Sequence, residues 1–463
     1  GLTGLSCARF LAAQGLCFAV NDSRIKPFTS DYNELQFRDE FKHVTLSLGQ
    51  WDCALIANAD VILISPGIDS SIAEIATFIQ DDCQVIGDVE LFCQLNNQCL
   101  NPIAILAVTG SNGKSTVVSL VHYLAKTLGV NAQLGGNIGQ PVLDLFTQLH
   151  ESESAQPQHS TTKALPELLI VELSSFQLET LKSMQAIATT VLNVSDDHLD
   201  RHQTMDNYQT IKQSIYQQGK LAITNRDDIA TNVLNKNQSQ LSFGSDSPDD
   251  NQFGIRVANN SAYLAFGAEN LIALDKLPLA GMHNALNYLA ALALGHSAGW
   301  SLTAMVNNLT GFTGLAHRCQ RINSKDGITW INDSKATNVG ATLAALNGLA
   351  RTMSAKQRLI LIAGGDGKGA DFTPLTEPLA QYVNQVITLG KDSDNIARLV
   401  NKKSKLQQVS SLIQAVQFAQ SNAKAGDIVL LSPACASLDM FKNFVDRGNQ
   451  FIAAVENLTE VKA

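Results

Sequence analysis

A chain of 463 residues with a formal net charge of −9 is too acidic for a general nucleic-acid binder, which presents a basic face. Its 45% apolar and 16% charged residues are ordinary for globular domains, and at roughly 150 residues each the length predicts about three of them. No run is apolar and long enough to span a bilayer, and the eight cysteines form neither a CxxC pair nor a zinc-type spacing with histidine, which predicts reduced thiols and a cytoplasmic protein.

The first predicted unit covers residues 1–99. It opens on "GLTGLS", a glycine-rich turn entering a helix that Gly15 ends. The strand that should feed this turn is absent, so the chain reads as N-terminally incomplete rather than processed. "FAVND" (18–22) and "DVILIS" (60–65) read as buried parallel strands, "GDVELFCQL" as a closing helix, and "NNQ" (96–98) as a linker.

The second unit covers residues 100–314. The apolar run "IAILAVT" (103–109) predicts a buried strand, and Val117, Val121, Leu124 and Leu128 give the following helix one apolar face up to Gly129. Between them lies "TGSNGKST" (109–116). A common phosphate loop has a glycine five residues before the one preceding the lysine, and here Val108 stands there. The strand–loop–helix context still predicts a phosphate cradle, in a shorter form. Gly110 and Gly113 would turn backbone amides, with those of Ser111 and Asn112, toward an anion. Lys114 would reach the outer phosphates, and the Ser115 or Thr116 hydroxyl would ligate Mg²⁺.

Two further strands are expected, "LLIVEL" (168–173) and "TTVLNVS" (189–195), with the polar tract 150–163 as a surface insertion and 245–254 as a surface turn. Glu172 at the end of the first is placed to hold a metal opposite the loop. His198 at the end of the second, beside Asp196 and Asp197, is a metal or substrate candidate, while Asp196 can also cap the next helix. Lys212, in a predicted helix, reads by default as a solvated lysine.

The third unit covers residues 315–463, with strands at "TWIND" (329–333), "RLILIAGG" (358–365), "QVITLG" (385–390) and "DIVLLSP" (427–433). "INDSKATN" puts Asp333, Lys335 and Thr337 after a strand, "GGDGKG" offers Lys368 in a turn, and "SPACASLDMFKNFVDRG" is expected to begin a helix with exposed amides near Ser437. Each alone could be a solvated loop; together, at strand ends of one unit, they predict a small anionic substrate. The overall expectation is α/β: a Rossmann-like first domain, a P-loop central domain with a parallel sheet, and a Rossmann-like third domain.

These motifs, with "ELSSFQLE", "HNALNYLAALAL" and "HRCQ", resemble the Mur ligases, ATP-dependent amide ligases of peptidoglycan precursor synthesis, and within them the D-glutamate-adding branch. The resemblance implies a monomeric enzyme in which the first domain binds a UDP-sugar, the second ATP, and the third D-glutamate. The carboxylate of UDP-N-acetylmuramoyl-L-alanine is phosphorylated, and the amine of D-glutamate then displaces phosphate. Carried over by motif, Leu2, Thr3, Asp22, Ser23, Arg24, Ser65, Pro66, Gly67, Gly136 and Asn137 would contact the UDP substrate. Asn284 and Asn287 would lie at adenine, and Arg318 and Asp333 at ATP phosphate and ribose. Ser115 and Glu172 would serve one Mg²⁺ and His198 a second, Lys212, N-carbamoylated, would bind or organise the metals, and Lys114, His198, Lys212 and Lys335 would take part in catalysis. Thr337, Lys368, Ser437, Leu438 and Phe444 match positions around D-glutamate.

Three other readings compete. A nicotinamide dehydrogenase, suggested by "GLTG" and Asp22, gives "TGSNGKST" no role. A P-loop nucleotide switch leaves "GGDGKG" and "SPACASLDMF" without one. Folylpolyglutamate synthase shares the phosphate loop but would not need the first domain.

Overall fold

The computed structural model describes residues 1–28, 32–147, 165–233, 235, 237–279, 281–322, 324–350, 353–354 and 357–460. The predicted insertion at 150–163 lies outside the described residues. The chain forms three α/β units in sequence order.

In the first unit the helix Leu2–Ala13 is followed by four short strands: β1 (Ala19–Asp22), β2 (Thr45–Leu48), β3 (Val61–Leu63) and β4 (Gln84–Ile86). They form two separate parallel pairs, β1 with β2 and β3 with β4. The expectation of buried strands fails here. Ala19 is exposed and the rest of β1 only half-buried, while Val61 in β3 is 49% exposed. Each of β1 and β3 is paired on one side only among the described residues, so its other edge stays open. Leu2 and Thr3 lie inside the helix, not on a turn before it. "NNQ" is not a linker: it ends the helix Asp88–Gln98, where buried Asn96 exchanges hydrogen bonds with the backbone of Ile103.

The second unit is built on a nine-stranded sheet. Its strands are β5 (Ala104–Thr109), β6 (Ala132–Gly136), β7 (Leu168–Glu172), β8 (Ala186–Val191), β9 (Gly219–Asn225), β10 (Ser239–Phe243), β11 (Gln252–Ala258), β12 (Ser261–Phe266) and β13 (Glu269–Ala273). The order is β13-β12-β11-β10-β9-β8-β5-β7-β6, with an antiparallel β11–β12–β13 edge on an otherwise parallel sheet. The unbroken apolar run of β5 reflects burial on both faces. Leu106 and Val108 point into the core shared with the helices Lys114–Thr127 and Met282–Ser297, while Ile105 and Ala107 point into the opposite one. Val108 is therefore a fully buried strand residue paired with Glu172, and the phosphate loop begins after it. β5 has β7 on one side and β8 on the other; the chain runs first to β6, beyond β7, and later crosses back to β8, so the carboxyl end of β5 is the switch point where such sheets bind ligands.

β8 starts and ends earlier than expected. Residues 192–195 leave the sheet to bond the phosphate loop: Ser111 N donates to Asn193 O (2.9 Å) and Ser195 N to Ser111 Oγ (2.9 Å). The turn expected at 245–254 is confined to its first part, because β11 begins at Gln252.

The third unit carries a six-stranded sheet of β14 (Gln320–Ile322), β15 (Thr329–Asn332), β16 (Leu359–Ala363), β17 (Gln385–Thr388), β18 (Leu406–Gln408) and β19 (Ile428–Leu431), in the order β14-β15-β19-β16-β17-β18. All pairings except β14–β15 are parallel. β16 alternates between two cores, Leu359 and Leu361 on one side and Ile360 and Ile362 on the other. The helix expected near Ser437 begins later, at Phe444. The chain first turns through Ala434 at φ 59°, and Ser437 is buried.

Candidate active site

A cavity of about 310 Å³ lies at the carboxyl end of β5, walled by the second unit on one side and the third on the other. The phosphate loop forms its floor. Gly110 has φ 149°, and a Cβ there would sit 3.2 Å from Leu192 N. Gly113 has φ 86°, and a Cβ would fall 2.6 Å from Asn287 Oδ1. Both positive φ angles favour glycine, and the space beside each is tight. Asn193 clamps the loop from just past β8: its Oδ1 accepts from Asn112 N (2.8 Å) and its Nδ2 donates to Asn112 O (3.1 Å). The helix from Lys114 has no side-chain cap at Gly113, so its first amides face the cavity free to meet an anion.

Lys114 Nζ donates to the carbonyls of Gly110 and Ser111. Burial lowers its pKa, partly opposed by the Glu172 charge. Glu172, 2% exposed, accepts from Asn137 Nδ2 (2.8 Å) on Oε1, whereas Oε2 is buried with no hydrogen-bond partner. Asp197, rather than Asp196, lines the cavity beside His198. His198 adopts φ 54°, its side chain is 43% exposed, and its Nε2 lies 3.7 Å from Asp197 Oδ1. It occupies the N-cap position of the short helix Leu199–His202, for which no side-chain capping bond forms, so Asp196 does not cap that helix.

Lys212 overturns its default reading. It is 1% exposed, lies beneath the loop rather than in the cavity wall, donates from Nζ to Gly110 O (3.0 Å), and sits 4.6 Å from the Tyr208 ring centroid. Burial, and then the neighbouring Lys114 charge, push its pKa well below the usual lysine value.

The third unit contributes Arg318, Asp333, Lys335 and Thr337 to the same cavity. Arg318 Nη2 donates to Ser115 Oγ (2.7 Å), joining the two units across the site. Asp333 accepts from Cys319 N (3.1 Å) and Ser432 Oγ (2.9 Å), and burial raises its carboxyl to about 6. Lys335 lies 3.9 Å from the centroid of the Phe444 ring, and burial lowers its amine to about 8. Asn284 and Asn287 line the cavity from the start of the helix Met282–Ser297.

The remaining candidates divide. Lys368, Ser437, Leu438 and Phe444 do not line this cavity; Phe444 is tied to it through Lys335, and Asp366 bridges the Lys368 loop to the loop preceding Ser437. Leu2, Asp22 and Ser65 border a separate cavity of about 260 Å³ in the first unit, whereas Thr3, Ser23, Arg24, Pro66 and Gly67 do not. Arg24 instead forms a two-pronged ion pair with Asp22, and Ser65 and Pro66 also border a third, smaller cleft against Phe176 and Gln177. Asn137, expected at the UDP diphosphate, stands with Glu172 in the large cavity, while Gly136 holds φ 93° at the end of β6. Sequence reasoning missed Asn193, Asp197 and Tyr208, whose hydroxyl meets Ser111 Oγ (3.1 Å); polar residues just past the end of β8 were the available signal for the first two.

Among the described residues no group of three or more His, Cys, Asp or Glu side chains could hold a metal alone, and no helix is long and apolar enough to cross a membrane. A phosphate-bridged Mg²⁺ needs less, since it is commonly held by one or two protein oxygens plus the phosphates.

Three family models match the chain: the Mur ligase MurD-like N-terminal domain over residues 1–87, the Mur ligase middle domain over 108–295, and the Mur ligase glutamate ligase domain over 317–435. A UDP-N-acetylmuramoylalanine--D-glutamate ligase of Colwellia psychrerythraea is 58% identical, covering 98% of this chain and 95% of its own. The enzyme of the same name from Shewanella violacea is 44% identical, covering 97% and 93%. Among solved structures, the UDP-N-acetylmuramate-alanine ligase MurC of Thermotoga maritima shares the fold with a TM-score of 0.61 at 16% identity, covering 99% of this chain and 97% of its own. By its three domains and its full-length relatives, the chain belongs to the Mur ligase family, on the branch of the UDP-N-acetylmuramoylalanine--D-glutamate ligases.

Proposed function

We propose that the chain adds D-glutamate to UDP-N-acetylmuramoyl-L-alanine, using ATP to activate the muramoyl-alanine carboxylate as an acyl phosphate. The observation that carries this reading is the shared cavity. A phosphate loop on one unit faces Arg318, Asp333, Lys335 and Thr337 on another, so phosphate transfer and attack by an incoming amine can occur in one shared cleft.

A carboxylate is a poor electrophile because its leaving group would be an oxide. In the first step a carboxylate oxygen bonds the γ-phosphorus of ATP and ADP departs. In the second, the D-glutamate nitrogen bonds the acyl carbon, the amine gives up a proton, and phosphate leaves with the electrons of the C–O bond. Lys114 and the loop amides would hold the phosphates, Arg318, reaching from the third unit to Ser115, would meet them from the opposite wall, and Lys335 would screen anions as they approach. Asn284 and Asn287 bound the cavity where adenine would lie. The first unit would hold the UDP end, with Leu2, Asp22 and Ser65 at its cavity, and Thr337, Lys368, Ser437, Leu438 and Phe444 would surround D-glutamate.

The orphaned Glu172 Oε2 fits a cation, and Ser115, which lines the same cavity, would join it in holding one Mg²⁺, while His198 would serve a second ion. Bound Mg²⁺ would screen the phosphate charge and polarise the γ-phosphoryl group. Lys212 as an ammonium cannot ligate a cation, and as a neutral amine it is a poor ligand for Mg²⁺, which takes oxygen donors. Its lowered pKa favours the neutral form that takes up carbon dioxide, which supports a carbamate there. The divisions 1–99, 100–314 and 315–463 would be the UDP-substrate, ATP and D-glutamate domains, working as a monomer. Eight free thiols fit a reducing compartment such as the cytoplasm.

The test is phosphate release from ATP with each substrate omitted in turn. Release that requires both D-glutamate and UDP-N-acetylmuramoyl-L-alanine supports the reading; equal turnover without either one rejects it.

A further inference from the structure

The loops that carry Lys368 and Ser437 are joined by one residue that touches neither cavity. Asp366, just past β16, forms a two-bond backbone bridge with Ala436: its N donates to Ala436 O (3.0 Å) and Ala436 N donates to its carbonyl (2.9 Å). Its side chain works in the other direction. Oδ1 accepts from Lys368 N (3.0 Å) and from Lys391 Nζ (3.1 Å). Lys368 holds φ 52°, a left-handed conformation that a lysine does not adopt without local compensation. The carboxylate supplies it by capping the amide at the centre of that turn.

Two neighbours complete the arrangement. Asp392 Oδ2 accepts from Gly367 N (2.8 Å), and Asp439 Oδ2 accepts from Lys391 N (2.9 Å). There is no slack between the loops: a Cβ on Gly365 would fall 2.2 Å from Ala436 O, and one on Gly390 would fall 2.8 Å from Gly365 Cα. The separation of the Lys368 turn from Ser437 is thus set through Asp366, by its backbone toward one loop and its carboxylate toward the other.

We propose that Asp366 is a positioning residue for the D-glutamate pocket, holding Lys368 in its left-handed turn at a fixed distance from Ser437. The inference rests on the reading of Lys368 and Ser437 as D-glutamate contacts. The carboxylate acts through geometry, as an oxygen two residues before the amide it accepts from. Asp366→Asn keeps an oxygen there, whereas Asp366→Ala removes it and Asp366→Glu keeps the charge but displaces it.

Steady-state constants for each substrate in these variants, with Lys368→Ala beside them, test the inference. Asp366→Ala and Asp366→Glu should each raise KM for D-glutamate about tenfold, the scale of one lost charge-assisted hydrogen bond, with KM for ATP within about twofold of normal. Asp366→Asn should stay within about threefold of normal for all substrates. The contrast between Asn and Glu decides the matter even if the alanine variant fails to fold. If Lys368→Ala raises KM for D-glutamate but Asp366→Glu does not, the positioning role is overturned and the pocket stands. Constants for all substrates rising together in Asp366→Glu would likewise overturn it. A normal KM for D-glutamate in Lys368→Ala would overturn the pocket reading and the inference with it.

Discussion

Asn137 and Glu172 meet at the adjacent ends of β6 and β7, where Asn137 donates through both its backbone and its side chain. Its N bonds Glu172 O and its Nδ2 bonds Glu172 Oε1, each at 2.8 Å, which fixes the carboxylate and leaves Oε2 buried without a donor. An unsatisfied buried carboxylate oxygen is costly unless a cation meets it. Glu172→Gln should therefore lower kcat/KM by roughly a hundredfold or more, the scale of a lost electrostatic group. Its melting temperature should fall, because Lys114 and Arg318 lose the buried charge that opposes theirs. Phosphate release across a Mg²⁺ titration checks this, and near-normal turnover with unchanged Mg²⁺ dependence would remove Glu172 from the site.

Lys114 bonds two carbonyls of its own loop and lies where the helix amides open on the cavity. Lys114→Ala should lose about 2 kcal/mol or more of transition-state stabilisation. Because the loop's shape rests on Gly110, Gly113 and the Asn193 clamp, the fold should survive the change. The measurement is kcat/KM for ATP beside a thermal melt; a near-normal value would count against the role.

Lys212 lies beneath the same loop, and its removal tests the carbamate. Lys212→Ala should be inactive and partly rescued by short carboxylic acids, which restore an acceptor group in the space left behind. Carbon-13 bicarbonate should also give the unmodified sequence a carbamate resonance that the variant lacks. Full activity of Lys212→Ala without rescue would refute the modification's role.

Much of this site was legible because strand ends collect ligands, and strand ends can be read from apolar runs that stop at polar residues. That logic found Gly110–Thr116, Glu172, His198 and Asp333, and all of these but Gly110 line one cavity. It failed for Lys212, whose burial comes from the packing of the helix Met205–Gln213 under the loop and leaves no trace in that helix's mixed polar sequence. It also misplaced the end of β8, because Leu192–Ser195 exchange sheet bonds for bonds to the phosphate loop. The burial of β1 and β3 was misjudged for the reverse reason. Their sequences are apolar enough for a buried strand, but each has a partner on one side only among the described residues.

Asp333 offers a test in stability rather than turnover. Its carboxyl is raised from 3.8 to about 6, chiefly by burial, with the Ser432 hydroxyl and the Cys319 amide opposing the shift. With the folded value above the unfolded one, the folded protein binds more protons between these limits. Its contribution is fully present below 3.8 and is lost as pH rises to about 6. A shift of this size corresponds to a loss on the order of 3 kcal/mol. Asp333→Asn has no proton to release, so its unfolding free energy should lack that decline even though its absolute stability also changes. Urea unfolding at several pH values across the window, wild type beside variant, reads the difference in slope. Parallel curves would show that Asp333 is ionised at its ordinary value and that its burial is offset by the Arg318 charge.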